Sequence, residues 1–306
     1  MNLNVKAVKY RNNPILVPII EEGSFERAAV YNPAAIVKDN KVYLIYRGEE
    51  DYYEQYISRL GLAISDDGFK FKRYEKNPIL EEDLDNPDEK RGCEDPRIIQ
   101  VDKDKFFLTY VAFDGGQNIK LCGAFSKDLM KFNKIGKLVP GKEKSGAIVQ
   151  NYKYKDKYYV MYFGDDFLKV AFSENLVKWS VVQKPVLAPR NDCFDSFLVE
   201  GGPPPILINE GILVIYNSAK SHQKYDGKTS WLSYSPGIAI FDKNDPKKLI
   251  YRSNRPLLKP TKYWEKHGKV NYVIFATGLV KFRDSWLLYY GGADKSIGVA
   301  QLDFKI

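Results

Sequence analysis

Short apolar runs separated by polar turns fill most of the chain and predict strands instead of helices. The runs at residues 42–46, 106–110 and 286–290 consist of aliphatic and aromatic side chains interrupted by at most one threonine. Runs of this length that are rich in β-branched and aromatic residues are typical of buried strands. Aromatic residues make up 14% of the chain, which strengthens the prediction because these side chains favour sheets. We therefore predict an all-β protein.

One pattern recurs five times along the sequence. An apolar strand leads through a polar turn to a second strand with a tyrosine near its tip, and a third strand and a closing segment resembling Pro-Ile-Leu follow. The copies span residues 32–80, 95–140, 145–187, 205–258 and 278–300. The tip tyrosines lie between 52 and 74 residues apart and are Tyr46, Tyr110, Tyr162, Tyr216 and Tyr290. This period matches a four-stranded propeller blade with loops of variable length.

The two ends of the chain predict how the ring of blades closes. The fifth copy ends before its closing segment, whereas residues 13–16 form a closing segment with no blade before it. An N-terminal strand that completes blade five would remove the exposed sheet edges. We predict a single five-bladed β-propeller domain over residues 1–306, and a pair of stacked β-sandwiches is the structural alternative.

Composition narrows the classes of function. The net charge is +8, but lysines and arginines alternate with acids instead of forming a basic stripe, so we do not expect a nucleic-acid partner. Three separated cysteines and two histidines favour neither a disulfide framework nor a metal site. The sequence shows no signal-peptide pattern and no membrane-spanning run, which predicts a cytoplasmic protein without a membrane partner. Homo-oligomerisation is left open.

The stretch at residues 91–98 is the strongest candidate for chemistry. Glu94 and Asp95 stand side by side between arginines, and Pro96 follows them immediately before a predicted strand. Proline restricts the preceding residue, so we expect Asp95 to be extended and rigidly held where the loop enters the strand. The alternative is an Asp-Pro turn with a local ion pair between a glutamate and an arginine of this stretch.

The repeats bring several polar residues to one axial pocket. In a propeller the first strand of each blade lines the central channel, so residues that enter these strands converge. At those positions and at the second-strand tips stand Asn32, Arg47, Glu94, Asp95, Lys144, Glu200, Asn217 and Asp294. We expect tyrosines to form the rim, namely Tyr31, Tyr46, Tyr216 and Tyr290. Acids, amides and aromatic rings together are typical of a site for a small oligosaccharide.

Two of these carboxyl groups suit glycoside cleavage. An inverting enzyme needs one protonated carboxyl at the leaving oxygen and a base that delivers water from the other face of the sugar. Like-charge repulsion from Glu94 could raise one pKa of the adjacent pair, which makes Asp95 the candidate acid. Glu200, fixed before a glycine-proline turn in another blade, is the candidate base.

These motifs resemble glycoside hydrolase family 130, whose members are five-bladed β-mannoside phosphorylases and β-mannosidases. The resemblance rests on residues 94–97, 201–205 and 289–294 and on the blade pattern over almost the whole chain. It implies that Asp95 is the general acid, working through a sugar hydroxyl as a proton relay. It also implies that Asn32, Arg47 and Asp294 hold the mannose before the scissile bond. We further predict a substrate-binding set that includes Glu94, Arg97, Lys144, Asp195, Tyr216 and Asn217.

The sequence departs from the phosphorylase pattern at the expected phosphate site. Residues 162–164 stand where a His-Arg pair is usual, Glu200 stands where a lysine is usual, and Lys144 alone keeps its register. The surroundings of Asp195, Tyr216 and Asn217 look like the hydrolytic branch. Against that interpretation, residues 276–278 lack the carboxylate expected from the hydrolytic branch in blade five.

From these observations we predict an inverting β-1,2-mannosidase-like hydrolase of short β-mannosides that uses neither a metal nor a cofactor. The first alternative is a mannoside phosphorylase that takes inorganic phosphate as co-substrate and releases mannose 1-phosphate. A non-catalytic sugar-binding propeller and a five-bladed glycosidase acting on furanosides or pentosides are further alternatives.

Overall fold

The computed structural model describes residues 4–52, 56–116, 118–223 and 230–305. Five small antiparallel sheets form a five-bladed β-propeller, which confirms the predicted fold. Within these ranges, no helix is long and apolar enough to cross a membrane.

The strands follow one another through the blades in chain order. The N-terminal strand is β1 (Asn4–Lys9), and blade one contains β2 (Ala29–Lys38), β3 (Lys41–Glu49), β4 (Ser58–Ser65) and β5 (Lys72–Arg73). Blade two contains β6 (Cys93–Asp102), β7 (Lys105–Phe113), β8 (Ile119–Ser126) and β9 (Phe132–Lys137). Blade three contains β10 (Ala147–Ile148), β11 (Tyr159–Phe163), β12 (Leu168–Ser173) and β13 (Ser180–Leu187).

Blade four is the most elaborate of the five. Its strands are β14 (Leu198–Gly201), β15 (Ile206–Ile208), β16 (Gly211–Gln223), β17 (Ser230–Tyr234), β18 (Gly237–Asp242) and β19 (Asp245–Arg252). Blade five contains β20 (Ile274–Phe282), β21 (Ser285–Gly292) and β22 (Ser296–Lys305). The helical segments among the described residues are a 3-10 turn at Pro87–Glu89 and α1 (Tyr263–Lys266).

The N-terminal strand closes the ring as the repeats predicted. Strand β1 pairs antiparallel with β22, from Lys9 opposite Ala300 outward, and becomes the fourth strand of blade five. In blade three the closing segment at residues 184–187 is the end of the fourth strand β13, but in blades one and five the closing segments are not the fourth strands. Leu16 forms only a single bridge with Ile297, and Leu80 forms the equivalent bridge with Leu60 in blade one. In blades one and five the Pro-Ile-Leu segments therefore follow the fourth strands and pair with the third ones.

The hydrophobic core consists of five clusters, each shared by two neighbouring blades. Leu44 and Leu287, for example, pack into one cluster between blades one and five. Strands with both faces in such clusters are apolar along their whole length, which explains why the sequence shows runs and not alternation. A blade therefore gains most of its apolar burial from its neighbours, and closing the ring completes the fifth cluster.

The tip tyrosines are core residues, not pocket-rim residues. Tyr46, Tyr216 and Tyr290 are fully buried, and each lies opposite a glycine in the neighbouring strand. The ring of Tyr46 covers Gly61 so closely that a Cβ there would come within 2.6 Å of it. The predicted tyrosine rim is wrong for these three residues because the missing glycine side chain leaves the space that each ring fills.

Candidate active site

A cavity of about 390 Å³ opens where the first strands of the blades begin. Asp95 and Glu200, the two carboxylates singled out from the sequence, both line it. The other predicted residues on its wall are Asn32, Arg47, Glu94, Lys144 and Asp294. Tyr31 also lines the cavity, as the sequence suggested. The repeats thus bring side chains from all five blades to one place.

A β-bulge lets Glu94 and Asp95 face the cavity together. Successive side chains of a regular strand point to opposite faces, so neighbouring carboxylates would normally diverge. The register of β6 against β7 shifts between Glu94 and Arg97, and Asp95 has a φ of 48°. The prediction that Asp95 is extended is therefore wrong: it adopts the left-handed conformation that aspartate tolerates better than most residues. Asn32, also before a proline, repeats this feature with a φ of 46°.

Arg47 connects the carboxylates on this side of the cavity. Its Nη2 donates to Glu94 Oε1 and to Glu49 Oε1, both at 2.6 Å, and its Nη1 lies 3.2 Å from Asp95 Oδ1. The guanidinium carbon also lies 4.7 Å from the centre of the Tyr31 ring. A buried arginine with several carboxylate partners fixes their positions more tightly than a flexible lysine would.

Asn32 holds Asp95 from another direction. Its Nδ2 donates to Asp95 Oδ1 at 2.9 Å, and its side chain is only 4% exposed. The Asn32 Oδ1 atom has no hydrogen-bond partner among the described residues. A buried acceptor without a partner is costly, so this atom is suited to accept a hydrogen bond from a ligand hydroxyl.

The adjacent carboxyls differ in their proton affinity. Burial raises the pKa of Glu94 to about 7, Arg47 opposes the shift, and repulsion from Asp95 adds to it. Burial would also raise the pKa of Asp95, but Arg47, Arg97 and the hydrogen bond from Asn32 outweigh burial and lower it. The like-charge repulsion predicted from the sequence therefore raises the pKa of Glu94, whereas the pKa of Asp95 lies below its usual value.

Glu200 lies in a second polar cluster, contributed by blades three and four. Ser145 Oγ donates to Glu200 Oε1 at 2.6 Å, and Lys144 Nζ lies 3.5 Å from the same oxygen and 2.9 Å from Asp165 Oδ1. Burial raises the pKa of Glu200 to about 7; Lys144 opposes the shift and Asp165 adds to it. Burial also raises the pKa of Asp294 to about 7, against the attraction of Arg47.

Arg97 connects the two clusters from beneath the cavity. It is fully buried and donates to the backbone oxygens of Asp95, Gly201 and Gly202 at 2.8–3.0 Å. The structure places it behind the cavity wall, where it fixes the loops that carry Asp95 and Glu200. Arg97 was predicted to contact the substrate, but in the structure it holds the backbone of these two loops instead.

Three further predicted binding residues are also away from the cavity wall. Tyr216 donates to Asp195 Oδ2 at 2.7 Å, and Arg190 and Arg252 pair with the same buried carboxylate. Asn217 donates to the Ala276 carbonyl at 2.9 Å and accepts from the Ala276 amide at 2.8 Å. The hydrogen-bonding groups of these side chains are all paired with other protein groups. The pairs join blade four to its own loops and to blade five.

The structure adds cavity residues that the repeats did not reveal. Asp165 lies just beyond the tip of β11, and Tyr234 ends β17. Val270 and Val273 provide an apolar wall before blade five. The aspartate pair at residues 165–166, directly after a strand tip and a glycine, was a usable signal, because tips also face the cavity. No sequence signal pointed to Tyr234, because its strand β17 is an insertion that the repeated blade pattern does not contain.

Comparisons with known proteins match the chain along nearly all of its length. The family model Glyco_hydro_130, described as β-1,4-mannooligosaccharide phosphorylase, matches residues 7–306. A 1,2-β-oligomannan phosphorylase of Thermoanaerobacter sp. (strain X514) is 34% identical over 98% of each chain. A β-1,2-mannobiose phosphorylase of the same organism is 32% identical over 97% of each chain.

One solved structure superimposes with a TM-score of 0.89 and 32% identity, over 96% of this chain and 93% of the other. It is described with the statement that the GH130 family of mannoside phosphorylases contains glycoside hydrolases that target β-1,2 mannosidic linkages in Candida mannan.

The relatives correct the sequence-based prediction of hydrolysis. Two proteins that match this chain from end to end are phosphorylases. The hydrolytic interpretation relied on Glu200 and on the surroundings of Asp195, Tyr216 and Asn217. The last three are structural, and Glu200 lies against Lys144. The role of Glu200 as a base that activates water is withdrawn together with the hydrolase prediction.

Proposed function

Since the chain belongs to glycoside hydrolase family 130, we propose that it is an inverting phosphorylase of β-1,2-linked mannosides. Inorganic phosphate would be its co-substrate, and mannose 1-phosphate and a shortened mannoside would be its products. The structural observation that carries the proposal is Lys144, a cation on the wall of the cavity that also contains the acid Asp95. The two end-to-end relatives named as β-1,2-mannoside phosphorylases support the choice of reaction and linkage.

The reaction needs an acid but no base. A phosphate oxygen bonds to the anomeric carbon as the bond from that carbon to the glycosidic oxygen breaks, and the departing oxygen takes up a proton. Phosphate already carries negative charge, so no side chain has to remove a proton from the nucleophile. Asp95 would supply the proton to the departing oxygen, by the family resemblance through a hydroxyl of the sugar.

Phosphate binding would prepare Asp95 for this role. The pKa of Asp95 is low in the empty cavity, which leaves the carboxyl without a proton to donate. A nearby anion disfavours ionisation of a carboxyl, so phosphate beside Lys144 would raise the Asp95 pKa and also neutralise part of the cationic field. Proton uptake and phosphate binding are therefore expected to accompany each other.

Glu200 would help phosphate bind only when it holds a proton. An ionised carboxylate beside Lys144 repels phosphate, whereas a protonated one donates a hydrogen bond. Its pKa of about 7 means that both forms are present near neutral pH. Lys144 is charged, because its carboxylate partners Glu200 and Asp165 outweigh the effect of burial and raise its pKa.

The other side of the cavity would hold the mannose that is transferred. The unpaired Oδ1 of Asn32 can accept from a sugar hydroxyl, and Arg47 and Asp294 offer a donor and an acceptor on the same wall. These three are the residues that the family resemblance assigns to the sugar before the scissile bond.

Phosphate dependence tests the proposal. The purified protein is incubated with β-1,2-mannobiose with and without inorganic phosphate, with β-1,4-mannobiose as the linkage control. We expect mannose 1-phosphate, detected by ³¹P NMR, from the β-1,2 substrate only when phosphate is present. Release of free mannose at the same rate without phosphate would contradict the proposal.

A further inference from the structure

One buried carboxylate behind the cavity wall takes no part in the proposed reaction steps. Glu49 ends β3, is fully buried and lies outside the set of residues that line the cavity. It follows Arg47 by two residues on the same strand, so both side chains point to the same face of the sheet. Burying a carboxylate costs free energy unless donors surround it, so its partners indicate what it does.

The two oxygens of Glu49 have separate partners. Oε1 accepts from Arg47 Nη2 at 2.6 Å, from the hydroxyl of Tyr31 and from Ser58 Oγ at 3.3 Å. Oε2 accepts from Lys269 Nζ at 2.6 Å. One oxygen therefore belongs to the Arg47 side of the cavity, and the other binds a cation in the segment before blade five.

Glu49 and Glu94 hold Arg47 from two directions. The Arg47 Nη2 atom lies 2.6 Å from Oε1 of each carboxylate, and Ser58 Oγ lies 3.3 Å and 3.1 Å from the same two oxygens. The other terminal nitrogen, Nη1, faces Asp95 at 3.2 Å. Because a guanidinium is planar, holding one nitrogen between two carboxylates also fixes the direction of the other.

Lys269 links Glu49 to the part of the cavity wall that precedes blade five. Its side chain is 18% exposed, and it is bound to Glu49 across the boundary between blades five and one. The next residue, Val270, lines the cavity and donates from its backbone to the Ala293 carbonyl at 3.3 Å. Since Ala293 directly precedes Asp294, the ion pair fastens the backbone around Asp294 to blade one.

The charges of this ion pair also act on Asp294. The titratable groups around Asp294 are Arg47, Asp95, Glu49, Lys269, Tyr31 and Tyr234. Burial is the main reason that the pKa of Asp294 is raised to about 7, and Arg47 opposes the shift. Asp95 and Glu49 add to the shift, and Lys269 opposes it. Removing one charge or the other of the ion pair should therefore move this pKa in opposite directions.

We propose that Glu49 is a positioning residue for the reaction and that Lys269 is its counter-ion. Glu49 holds Arg47 in the orientation that faces Asp95 and the transferred mannose. Through Lys269 the same carboxylate joins the arginine to the loop that carries Asp294. The inference rests on the proposed function for the reaction that Arg47 serves.

Steady-state phosphorolysis of β-1,2-mannobiose by Glu49→Gln tests the positioning role. Glutamine keeps the size of the side chain and one acceptor oxygen but removes the charge that holds Arg47 and Lys269. We expect kcat/KM for mannobiose to fall at least tenfold, because a misplacement of about 1 Å can cost about 10² in rate. KM for phosphate should stay within about twofold, since phosphate binds on the Lys144 side. An unchanged kcat/KM for mannobiose, or an equal rise of both KM values, would overturn the inference.

Glu26→Gln is the matched control. Glu26 is also a buried glutamate paired with an arginine, since its Oε1 lies 2.7 Å from Arg73 Nε, and it lies outside the cavity wall. This variant should lose stability as Glu49→Gln does but keep the wild-type kcat/KM for mannobiose. The same loss of kcat/KM in both variants would assign the effect to general destabilisation and overturn the inference.

A carboxyl titration tests the electrostatic contacts without turnover. The side-chain carboxyl ¹³C resonance of Asp294, assigned with Asp294→Asn, is followed against pH in the wild type, Glu49→Gln and Lys269→Met. The pKa should fall in Glu49→Gln and rise in Lys269→Met, whereas loosening of the loop alone would move both variants in the same direction. Shifts in one direction, or no shift in either variant, would overturn the inference. If Glu49→Gln does not fold, a pKa that does not rise in Lys269→Met overturns it.

The two readouts separate this inference from the proposed function. Opposite pKa shifts in a protein whose wild type does not phosphorolyse mannobiose would support the contacts of Glu49 and contradict only the reaction. A wild-type rate of phosphorolysis in Glu49→Gln would overturn the positioning role while the proposed reaction stands.

Discussion

The two polar sides of the cavity use similar residues to different effect. On the Asp95 side an arginine contacts three carboxylates, and an asparagine holds one of them. On the Glu200 side a lysine and a serine contact one carboxylate, and the lysine is shared with Asp165. The pKa of Asp95 is lowered, whereas the pKa of Glu200 is raised to about 7.

This difference shows that cationic and amide neighbours decide whether the pKa of a buried carboxyl is raised or lowered. Burial acts on both carboxyls in the same direction, so it cannot distinguish them. Two arginines and an amide overcome burial at Asp95, and one lysine does not overcome it at Glu200. We expect Asp95 to keep its charge near neutral pH, whereas Glu200 on the second side, and Glu94 and Asp294 on the first, have pKa values of about 7 and respond to pH.

The largest effect is expected when Asp95 loses its ability to donate a proton. Asp95→Asn keeps the shape and the contact with Asn32 but removes the acid, and general acid catalysis contributes about 10² to 10⁴ in rate. The phosphorolysis rate on β-1,2-mannobiose should fall by that factor while the thermal unfolding midpoint changes little. A wild-type rate would exclude Asp95 as the acid.

Removing the arginine should mainly cost stability. Arg47→Met leaves Glu94 and Glu49 without their shared partner, and breaking a buried pair costs about 3–5 kcal/mol. Without Arg47 the folded-state pKa of Glu94 rises further, so the folded protein binds more protons than the unfolded chain near neutral pH. Its stability must then fall as pH rises through that window.

Urea unfolding at pH 6 and pH 8 checks this sign. The loss of free energy of unfolding in Arg47→Met, relative to the wild type, should be greater at pH 8. A loss that is equal at both values would mean that the carboxylates do not depend on Arg47 for compensation.

The Glu200 side should make phosphate binding depend on pH. If protonated Glu200 is the form that accepts phosphate, a pKa of about 7 predicts that KM for phosphate rises roughly fivefold between pH 7 and pH 8. Glu200→Gln is the matched control, because it keeps a neutral side chain while phosphate itself titrates identically in both assays. The same pH dependence in both proteins would remove Glu200 from phosphate binding.

The smallest effect is expected from a residue that the sequence placed in the site and the structure did not. Tyr216→Phe removes a hydroxyl that donates to Asp195 and is expected to cost about 1 kcal/mol of stability. Its kcat/KM should stay close to that of the wild type, because Tyr216 does not line the cavity. A large rise in KM for the mannoside, with stability unchanged, would place Tyr216 back at the substrate.

Much of the architecture could be predicted because it repeats. Five copies of one strand pattern and a closing segment near the N-terminus predicted a closed ring of blades. The positions of Asp95 and Glu200 near the starts of first strands predicted that both face one cavity. The repeated pattern does not predict the direction in which an individual side chain points. Asp95 was expected to be extended because proline restricts its neighbour, but the bulge in β6 overrides that preference.

The predictions about the tyrosines and about the reaction were wrong for a related reason. Whether Tyr216 points to the cavity or to the core depends on the glycine opposite it in the next strand, which a linear sequence does not pair with it. The prediction of hydrolysis used the identity of Glu200 and the residues around Asp195, Tyr216 and Asn217, without knowledge of what these side chains contact. The chemical role of Glu200 depends on Lys144 and Ser145, two residues of another blade that lie beside its Oε1 atom.

The anomeric form of the first product tests the central claim most directly. In the proposed mechanism phosphate beside Lys144 attacks the anomeric carbon from the side opposite the departing oxygen that Asp95 protonates, and an attack of this kind inverts the configuration. The account predicts that ¹H and ³¹P NMR of the early reaction of β-1,2-mannobiose with phosphate show α-mannose 1-phosphate. Formation of β-mannose 1-phosphate, or of free mannose in place of the phosphate ester, would contradict it.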